Sequence, residues 1–325
     1  MAASRSNDSR RAAAALRRAV IDIGSDTVHL VVGAIQDGAD GQPAVHDVSH
    51  RSVLLELGRD VALEGRIDPD HLVGLDATVL KFVKLARKEA GHVVMVATEA
   101  SRRAANGPAV LARLSEKVGE PIRVLSGTRE AQLGFCGVHE NLKPSGCQLV
   151  IDSGGESTEV SISQGREYVS GVSLPVGAAF LSATFQGDPP SPLSWALSGI
   201  KVGEVIGRLP ALQPRHAWAT GGSAHHLFGL ESVERDRKPA RLHMTDLDSL
   251  SRELLKHSSS KLGERRGQDP RRVALLAPGA LILAAILDHY HIRACTVLPA
   301  GLREGILLAS AANPLTWWQD GAPGC

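Results

Sequence analysis

The chain has 325 residues and a nearly balanced charge, with 36 Lys and Arg against 35 Asp and Glu. Hydrophobic residues make up 43% and charged residues 22%, which excludes a largely disordered chain. Aromatic residues make up only 3%, so the neutral total and the scarcity of stacking rings argue against a nucleic-acid-binding protein. The length predicts two domains of ordinary size.

The first half of the chain predicts three strands followed by alternating helices and strands. A stretch rich in Ala, Ser and Arg at 1–18 is predicted to be a disordered extension, with a transit peptide as the alternative. Apolar runs at 19–24, 28–35 and 45–57 then predict an antiparallel meander. The periodicity that follows predicts a helix at 69–90, a strand at 92–98, a helix at 108–118, a strand at 122–125 and a helix at 129–139.

The second half begins in the same way. Its predicted elements are strands at 148–151, 159–162, 168–172, 217–220 and 294–298, and helices at 178–185, 192–209, 245–264, 270–289 and 302–311. The apolar stretch at 273–287 is shorter than the ~18 residues of a membrane helix, so it predicts a buried helix. Four cysteines without a CxxC pair make a zinc site or a disulfide framework improbable and favour reduced thiols in the cytoplasm.

A short motif occurs twice. Val20-Ile21-Asp22-x-Gly24 matches Val150-Ile151-Asp152-x-Gly154 at an offset of 130 residues. Each copy opens a strand–turn–strand unit, so the repeat predicts a duplicated domain with a ligand cleft between its halves. Small residues after each aspartate favour phosphate binding by backbone amides, although an ordinary glycine turn with an exposed Asp has the same pattern. A third glycine pair, at 220–223, is equally consistent with phosphate binding and with a helix cap.

Charged residues near these turns have two interpretations each. Glu159 faces Asp152 across a hairpin, so the pair either shares one Mg²⁺ or leaves Glu159 on an exposed strand face. Glu130 either acts as a base or stabilises the dipole at the start of its helix. Arg102, or its neighbour Arg103, either grips a phosphoryl group or solvates the surface.

Five motifs in order carry a resemblance to a known family. They are 21–30 (IDIGSDTVHL), 97–102 (ATEASR), 125–131 (LSGTREA), 151–159 (IDSGGESTE) and 301–305 (GLREG). Together they resemble the exopolyphosphatase / guanosine pentaphosphate phosphohydrolase family, within the actin-like ATPase superfamily. The likeness extends from about residue 18 to residue 309, and the short length resembles that of the two-domain members.

The resemblance implies an α/β fold with two ribonuclease-H-like domains flanking a cleft, here at 19–126 and 127–312, followed by a tail at 313–325. The alternative for the last helix, which starts at Arg303-Glu304-Gly305, is packing at the joint between the domains. It implies Mg²⁺-dependent release of the terminal phosphate of inorganic polyphosphate, or of the 5′ γ-phosphate of pppGpp. The implied partners are the polyphosphate or guanosine polyphosphate substrate and a second copy in a homodimer. Neither DNA nor a membrane is expected, and the implied location is the cytoplasm.

The resemblance also assigns roles to residues. Glu130 is the implied base that orients or deprotonates the attacking water, and Arg102 grips a phosphoryl group. Asp152 and Glu159 are the implied Mg²⁺ ligands. The implied phosphate-binding residues are Gly24, Ser25, Asp26, Gly154, Gly155 and Ser157.

Four positions depart from the family pattern. Asp26 replaces the usual Asn or Thr, Glu156 replaces a third glycine, Arg129 replaces an acidic residue and Arg103 replaces Asp. A carboxylate in each phosphate loop repels a polyanion unless a cation intervenes. The alternatives are therefore an enzyme with additional metal in the site and a catalytically weak sensor of polyphosphate or alarmones. A relative that transfers phosphate from ATP to a small molecule is a third hypothesis.

Overall fold

The computed structural model describes residues 17–38, 41–232 and 240–322. The chain forms two compact units, the first comprising Met1–Arg129 and Leu302–Cys325, and the second Glu130–Gly301. Residues 1–16 of the predicted N-terminal extension lie outside the described residues, and Arg17 and Arg18, which were predicted to belong to it, instead begin the first strand.

The first unit is built on a five-stranded sheet. Its strands are β1 (Arg17–Ile23), β2 (Thr27–Asp37), β3 (Pro43–Leu54), β4 (His92–Ala97) and β5 (Ile122–Val124). Their order is β3-β2-β1-β4-β5. The strand β2 runs antiparallel to both of its neighbours, whereas β1, β4 and β5 are parallel. This is the ribonuclease-H-like arrangement that the sequence predicts.

Helices of the first unit pack on this sheet. They are α1 (Leu57–Glu64), α2 (Pro69–Glu89), α3 (Glu99–Arg103), α4 (Gly107–Val118) and the first residues of α5 (Gly127–Val138). The longest, α2, begins where Asp68 accepts a hydrogen bond from the Asp70 amide at 2.8 Å, with Pro69 in its first turn. Its buried residues recur at three- and four-residue spacing and join the core beneath the sheet. Helix α1 was not predicted.

The second unit repeats this sheet and adds one strand. Its strands are β6 (Cys147–Ser153), β7 (Thr158–Gln164), β8 (Glu167–Leu174), β9 (His216–Thr220), β10 (Arg241–His243) and β11 (Ala294–Val297). Their order is β10-β11-β9-β6-β7-β8. Taken from β8 to β11, the order and the strand directions match those of the first sheet. The predicted duplication is confirmed, and β10 is an additional edge strand that the sequence did not reveal.

Seven further helices surround the second sheet within the described residues. They are α6 (Ala178–Ser182), α7 (Pro192–Ile206), α8 (Gly221–Ser232), α9 (Met244–Leu254), α10 (Ser259–Arg266), α11 (Pro270–Ala274) and α12 (Leu276–His289). The helix predicted at 245–264 is two helices, because the Ser258 side chain caps α10 by accepting from the Lys261 amide. The stretch Pro270–His289 is apolar and long enough to cross a membrane, but α12 packs in the core of this unit.

The last helix, α13 (Leu302–Ala312), packs against β1, β2 and β3 of the first unit. The predicted boundary at 127–312 assigned it to the second domain instead. Gly33 accounts for part of this packing, since a Cβ there would lie 3.4 Å from Leu307 Cδ1 and 2.5 Å from Val45 Cγ1. A C-terminal helix therefore completes an N-terminal unit, which sequence order alone did not indicate.

The cysteines differ from one another. Cys147 and Cys295 carry free thiols, and burial raises the pKa of the Cys295 thiol to about 12. Cys136 is disulfide-bonded. The expectation of reduced thiols is therefore wrong at Cys136.

Candidate functional site

The repeated motif forms the same turn in both units. The Gly24 amide donates to the Thr27 carbonyl at 3.2 Å, and the Gly154 amide donates to the Ser157 carbonyl at 3.0 Å. A Cβ at Gly24 would lie 2.9 Å from the Thr27 oxygen, and one at Gly154 would lie 3.2 Å from the Ser157 oxygen. The two glycines are needed because the backbone approaches itself closely. We refer to residues 24–26 as the first loop and to residues 154–157 as the second loop.

The carbonyls of the first loop are held by the segment that enters α1. The Asp26 carbonyl accepts hydrogen bonds from the amides of Leu55 and Glu56 at 2.7 and 3.0 Å. The Ser25 carbonyl accepts from Gly58 at 2.6 Å. The loop is thus fixed by the helix that follows the third strand of its unit.

The carbonyls of the second loop are held in the equivalent way. The Gly154 carbonyl accepts from the Ala178 amide at 3.0 Å, and the Gly155 carbonyl accepts from Ala179 and Phe180 at 2.8 and 3.0 Å. These donors belong to α6, which also follows the third strand of its unit. The repeat therefore extends beyond the motif to the way each loop is anchored.

Three glycines approach the carboxylate of Asp152 in the second unit. A Cβ at Gly221 would lie 2.4 Å from Asp152 Oδ1, and Gly221 has a φ of +83°. A Cβ at Gly301 would lie 3.6 Å, and one at Gly134 3.8 Å, from Asp152 Oδ2. The carboxylate is thus surrounded by backbone from α5, from the start of α8 and from the loop after β11. Side chains at these positions would occupy the space around it.

Glu159 shares a face of the second sheet with Asp152. The two residues are direct partners in the antiparallel pairing of β6 with β7, so their side chains lie on the same side. Glu159 is largely buried, and its Oε1 accepts a hydrogen bond from Ser173 Oγ at 2.7 Å. The predicted juxtaposition of the two carboxylates is what this register produces. The alternative of an exposed Glu159 is excluded by its burial.

Glu130 is buried in the first turn of α5, at 4% exposure. Gly134 lies one turn later on the same helix face and approaches Asp152. Ser161, which shares a strand face with Glu159, donates from its Oγ to the Ala131 carbonyl of α5 at 2.9 Å. Helix α5 therefore lies over the face that carries the two carboxylates.

A buried hydroxyl adjoins this group. Thr220 is 1% exposed, and its Oγ1 has no hydrogen-bond partner within the described residues. A Cβ at Gly301 would lie 3.0 Å from this oxygen. The sequence analysis considered the glycine pair after Thr220 as part of a site, but it assigned no role there to Gly134 or Gly301. The available signal was a glycine in a helix interior and another directly after a strand, where backbone often approaches a ligand.

Asp22, the first-unit counterpart of Asp152, has different surroundings. Its Oδ2 accepts from Arg303 Nη1 at 3.2 Å, and its side chain is 5% exposed. Beside this pair, Glu304 lies 3.5 Å from His50 Nε2. Burial lowers the pKa of His50, the Glu304 charge raises it, and the Arg303 charge lowers it. The first-unit aspartate is therefore already neutralised by a cation of α13.

Arg102 lies at the end of α3 with its guanidinium bonded within the first unit. Its Nε donates to Glu99 Oε2 at 2.9 Å, its Nη2 pairs with the same oxygen, and its Nη1 donates to the Leu125 carbonyl. Gripping a phosphoryl group stays a prediction for this residue. To bind a phosphoryl group, the Arg102 guanidinium would have to release the Glu99 carboxylate and hydrogen-bond the phosphate oxygens instead.

Two of the departures from the family pattern have clear structural settings. Arg129 is fully buried, and its Nε and Nη1 donate to the carbonyls of Trp317 and Ala322 at 2.7 and 3.1 Å. Burial lowers the pKa of this guanidinium. Arg129 thus anchors the C-terminal tail, which contains Trp317 and Trp318. Glu156 is also fully buried, at 0% exposure.

These observations define an α/β protein of two ribonuclease-H-like units, with two glycine loops and a group of buried and half-buried carboxylates at the second sheet. A sequence model of the Ppx/GppA phosphatase family matches residues 31–313. The chain belongs to this family.

Individual relatives agree with this assignment. The chain is similar to exopolyphosphatase 1 of Mycobacterium leprae, at 28% identity over 306 residues, covering 90% of this chain and 89% of that protein. It is similar to exopolyphosphatase 1 of Mycobacterium tuberculosis, at 28% identity over 305 residues, covering 90% and 88%. Its fold matches the crystal structure of the Aquifex aeolicus family member with a TM-score of 0.74 and 26% identity, over 93% of this chain and 99% of that one.

Proposed function

We propose that the protein is a Mg²⁺-dependent phosphohydrolase that releases the terminal phosphate of inorganic polyphosphate. The observation that carries the proposal is the placement of Glu130, Asp152 and Glu159 around one face of the second sheet. Membership of a phosphatase family and similarity to proteins named exopolyphosphatase support it.

The residues around Asp152 fit a magnesium ion. Mg²⁺ in phosphate-handling sites binds through one or two carboxylates, with the remaining positions filled by water and substrate oxygens. Asp152 and Glu159 would supply these two carboxylates, and the glycine-lined space beside Asp152 and the unsatisfied Thr220 hydroxyl would accommodate the other ligands. When bound, the ion neutralises charge on the phosphate oxygens. The described residues contain no group of three His, Cys, Asp or Glu that could hold a metal, so the proposed site depends on two carboxylates and on ligands from water and substrate.

Glu130 is proposed to orient the attacking water and to accept its proton on a carboxylate oxygen. Phosphoryl transfer depends mainly on positioning and charge neutralisation, so the carboxylate contributes by holding the attacking water in place while cations neutralise the phosphate. Helix α5 fixes Glu130, because Ser161 binds the α5 backbone from β7.

Backbone amides of the second loop are proposed to bind phosphate oxygens. The carbonyls of Gly154 and Gly155 are occupied by α6. By contrast, the amides of Gly155 and Ser157 donate to no backbone carbonyl within the described ranges. Such amides in a glycine turn suit an anion. The equivalent proposal for the first loop places Gly24, Ser25 and Asp26 against phosphate, with Asp26 requiring a nearby cation.

Phosphate release from long-chain polyphosphate, tripolyphosphate and pppGpp in the presence of Mg²⁺ tests the proposal. Replacing Glu130 by Gln keeps the shape of the side chain and removes the base, so release should fall by about 100-fold or more. Glu167→Gln, at an exposed position of β8, is the matched control and should leave release unchanged. Equal activity of the two variants would contradict the role of Glu130.

The same assay separates the alternatives. A folded native protein that binds polyphosphate or guanosine polyphosphate but releases phosphate from neither would favour a sensor. Phosphate transfer from ATP that depends on an added acceptor would favour the kinase-like hypothesis. The preferred substrate, the cytoplasmic location and the homodimer remain predictions.

A further inference from the structure

A basic cavity of about 480 Å³ lies in the second unit, away from the carboxylates. None of the eight residues that line it is acidic. Five of them are basic, namely Arg215, Arg241, His243, His291 and Arg293. In a chain with a formal net charge of only +1, this is a local concentration of positive charge.

The cavity is at the opposite end of the sheet from Asp152. Arg215 directly precedes β9 and Arg293 directly precedes β11, and these two strands are parallel neighbours. Their other ends lead to Gly221 and Gly301, which approach Asp152. The rise along five strand residues separates the two ends of β9 by about 16 Å.

The additional edge strand completes the cavity. Strand β10 runs antiparallel to β11 and pairs His243 with Ala294, so its end reaches the edge where Arg215 and Arg293 lie. It contributes Arg241 and His243 to the lining. Within the described residues, the first sheet has five strands and no counterpart of β10.

The three arginines are available to a ligand. Their side chains are exposed, and within the described residues they make no hydrogen bond or ion pair. Two carboxylates lie close to the lining in sequence. Asp246 accepts a hydrogen bond from the His243 backbone amide at 2.9 Å, and Asp288 is exposed. The pKa of the neighbouring His216 is lowered by burial and further by the positive charges of Lys143, Arg241 and Arg215. The electrostatic potential beside the cavity is therefore positive.

We propose that this cavity binds an internal segment of a polyphosphate chain whose end is hydrolysed at the carboxylate site. Arginine side chains bind phosphate oxygens through planar, charge-assisted hydrogen bonds, and three of them converge here. A long phosphate chain can occupy both ends of the sheet at once, whereas a triphosphate held at Asp152 cannot. The proposal rests on the proposed function for its substrate, but the binding it describes does not require turnover.

Binding of long-chain polyphosphate and of tripolyphosphate, measured by calorimetry, tests the proposal. Every protein carries Glu130→Gln so that hydrolysis does not interfere. The test variant is Arg215→Gln/Arg241→Gln/Arg293→Gln. The matched control is Arg252→Gln/Lys256→Gln/Lys261→Gln, which removes the same charge from exposed positions elsewhere in the unit.

The test variant should bind long-chain polyphosphate about tenfold or more weakly, and the slope of log affinity against log salt should fall by about 2 to 3. Its affinity for tripolyphosphate and its melting temperature should match those of the control. Equal losses in test and control variants, or a loss in neither, would overturn the proposal. If the native protein releases no phosphate from any substrate but the selective binding loss is observed, the hydrolase proposal fails and this one stands.

Discussion

The two glycine loops share a motif, a turn and a mode of anchoring, yet their aspartates have different surroundings. In the first unit Asp22 is buried against Arg303 of α13. In the second unit Asp152 faces Glu159 across the strand pair and is surrounded by the backbone of Gly134, Gly221 and Gly301. One aspartate is already paired with a cation, and the other shares its surroundings with a second acid.

This difference gives the two copies of the motif different electrostatic surroundings. Position 29, the counterpart of Glu159 at the offset of 130 residues, is His29, so the first unit lacks the second carboxylate. A lone carboxylate beside an arginine stabilises a fold, whereas two adjacent carboxylates favour binding of a cation. The elements around the motif, rather than the motif, decide which role applies.

The largest effect is expected from adding one methyl group beside Asp152. A Cβ at Gly221 would lie 2.4 Å from Asp152 Oδ1, so Gly221→Ala should displace the carboxylate and reduce phosphate release by about 100-fold. Gly222→Ala is the control, because a Cβ there meets no atom within 4 Å. Similar release rates for the two folded variants would show that Asp152 is not needed in its present position.

Exchanging the two aspartates for asparagine compares the loops directly. Asp152→Asn should abolish most phosphate release with little change in unfolding free energy. Asp22→Asn should lower that free energy by about 1 to 3 kcal/mol, because it leaves Arg303 partly buried without its partner. Urea unfolding with a phosphate assay measures both, and Asp22→Asn/Arg303→Gln should recover part of the lost stability. If both single variants lose phosphate release without a lower unfolding free energy, the two aspartates do not differ in the way proposed here.

Arg129 tests whether a departure from the family pattern has become structural. Arg129→Met removes two hydrogen bonds to the tail carbonyls and should cost about 2 to 3 kcal/mol of unfolding free energy. Tryptophan emission should shift to the red as Trp317 becomes exposed. Arg123→Met removes only a cation–π contact with Trp318 at 3.9 Å and should cost about 0.5 to 1 kcal/mol. Equal costs would refute the anchoring role of Arg129.

Glu156 should show the smallest effect on activity. Glu156, at 0% exposure, is less exposed than Glu130 at 4% or Glu159 at 8%, so we expect it not to contact a phosphate that enters from solvent. Glu156→Gly should therefore leave the rate of phosphate release nearly unchanged while lowering stability by about 1 to 2 kcal/mol. A clear increase in turnover would show that the native loop is impaired, and complete loss would identify Glu156 as a ligand or catalytic group.

Much of the fold could be predicted because its signals are local. Apolar runs separated by turn residues specify the strands, and the three-to-four-residue spacing in α2 specifies a helix. The signal for the hairpin that joins Asp152 to Glu159 is also local. The two residues are seven positions apart with a glycine turn between them, and this spacing determines which side chains face each other. Short elements such as α1 and β10 were missed because few residues carry too little periodicity.

The sequence by itself determined the duplication, the family and the pair of acidic residues, because each depends on order and spacing along the chain. Only the tertiary structure decided that α13 belongs with β1–β3, that Arg303 neutralises Asp22 and that Arg129 holds the tail. These contacts join residues separated by about 190 to 280 positions, where spacing carries no information about proximity. Close packing in the folded chain brings such partners together, and it gives the two copies of one motif different surroundings.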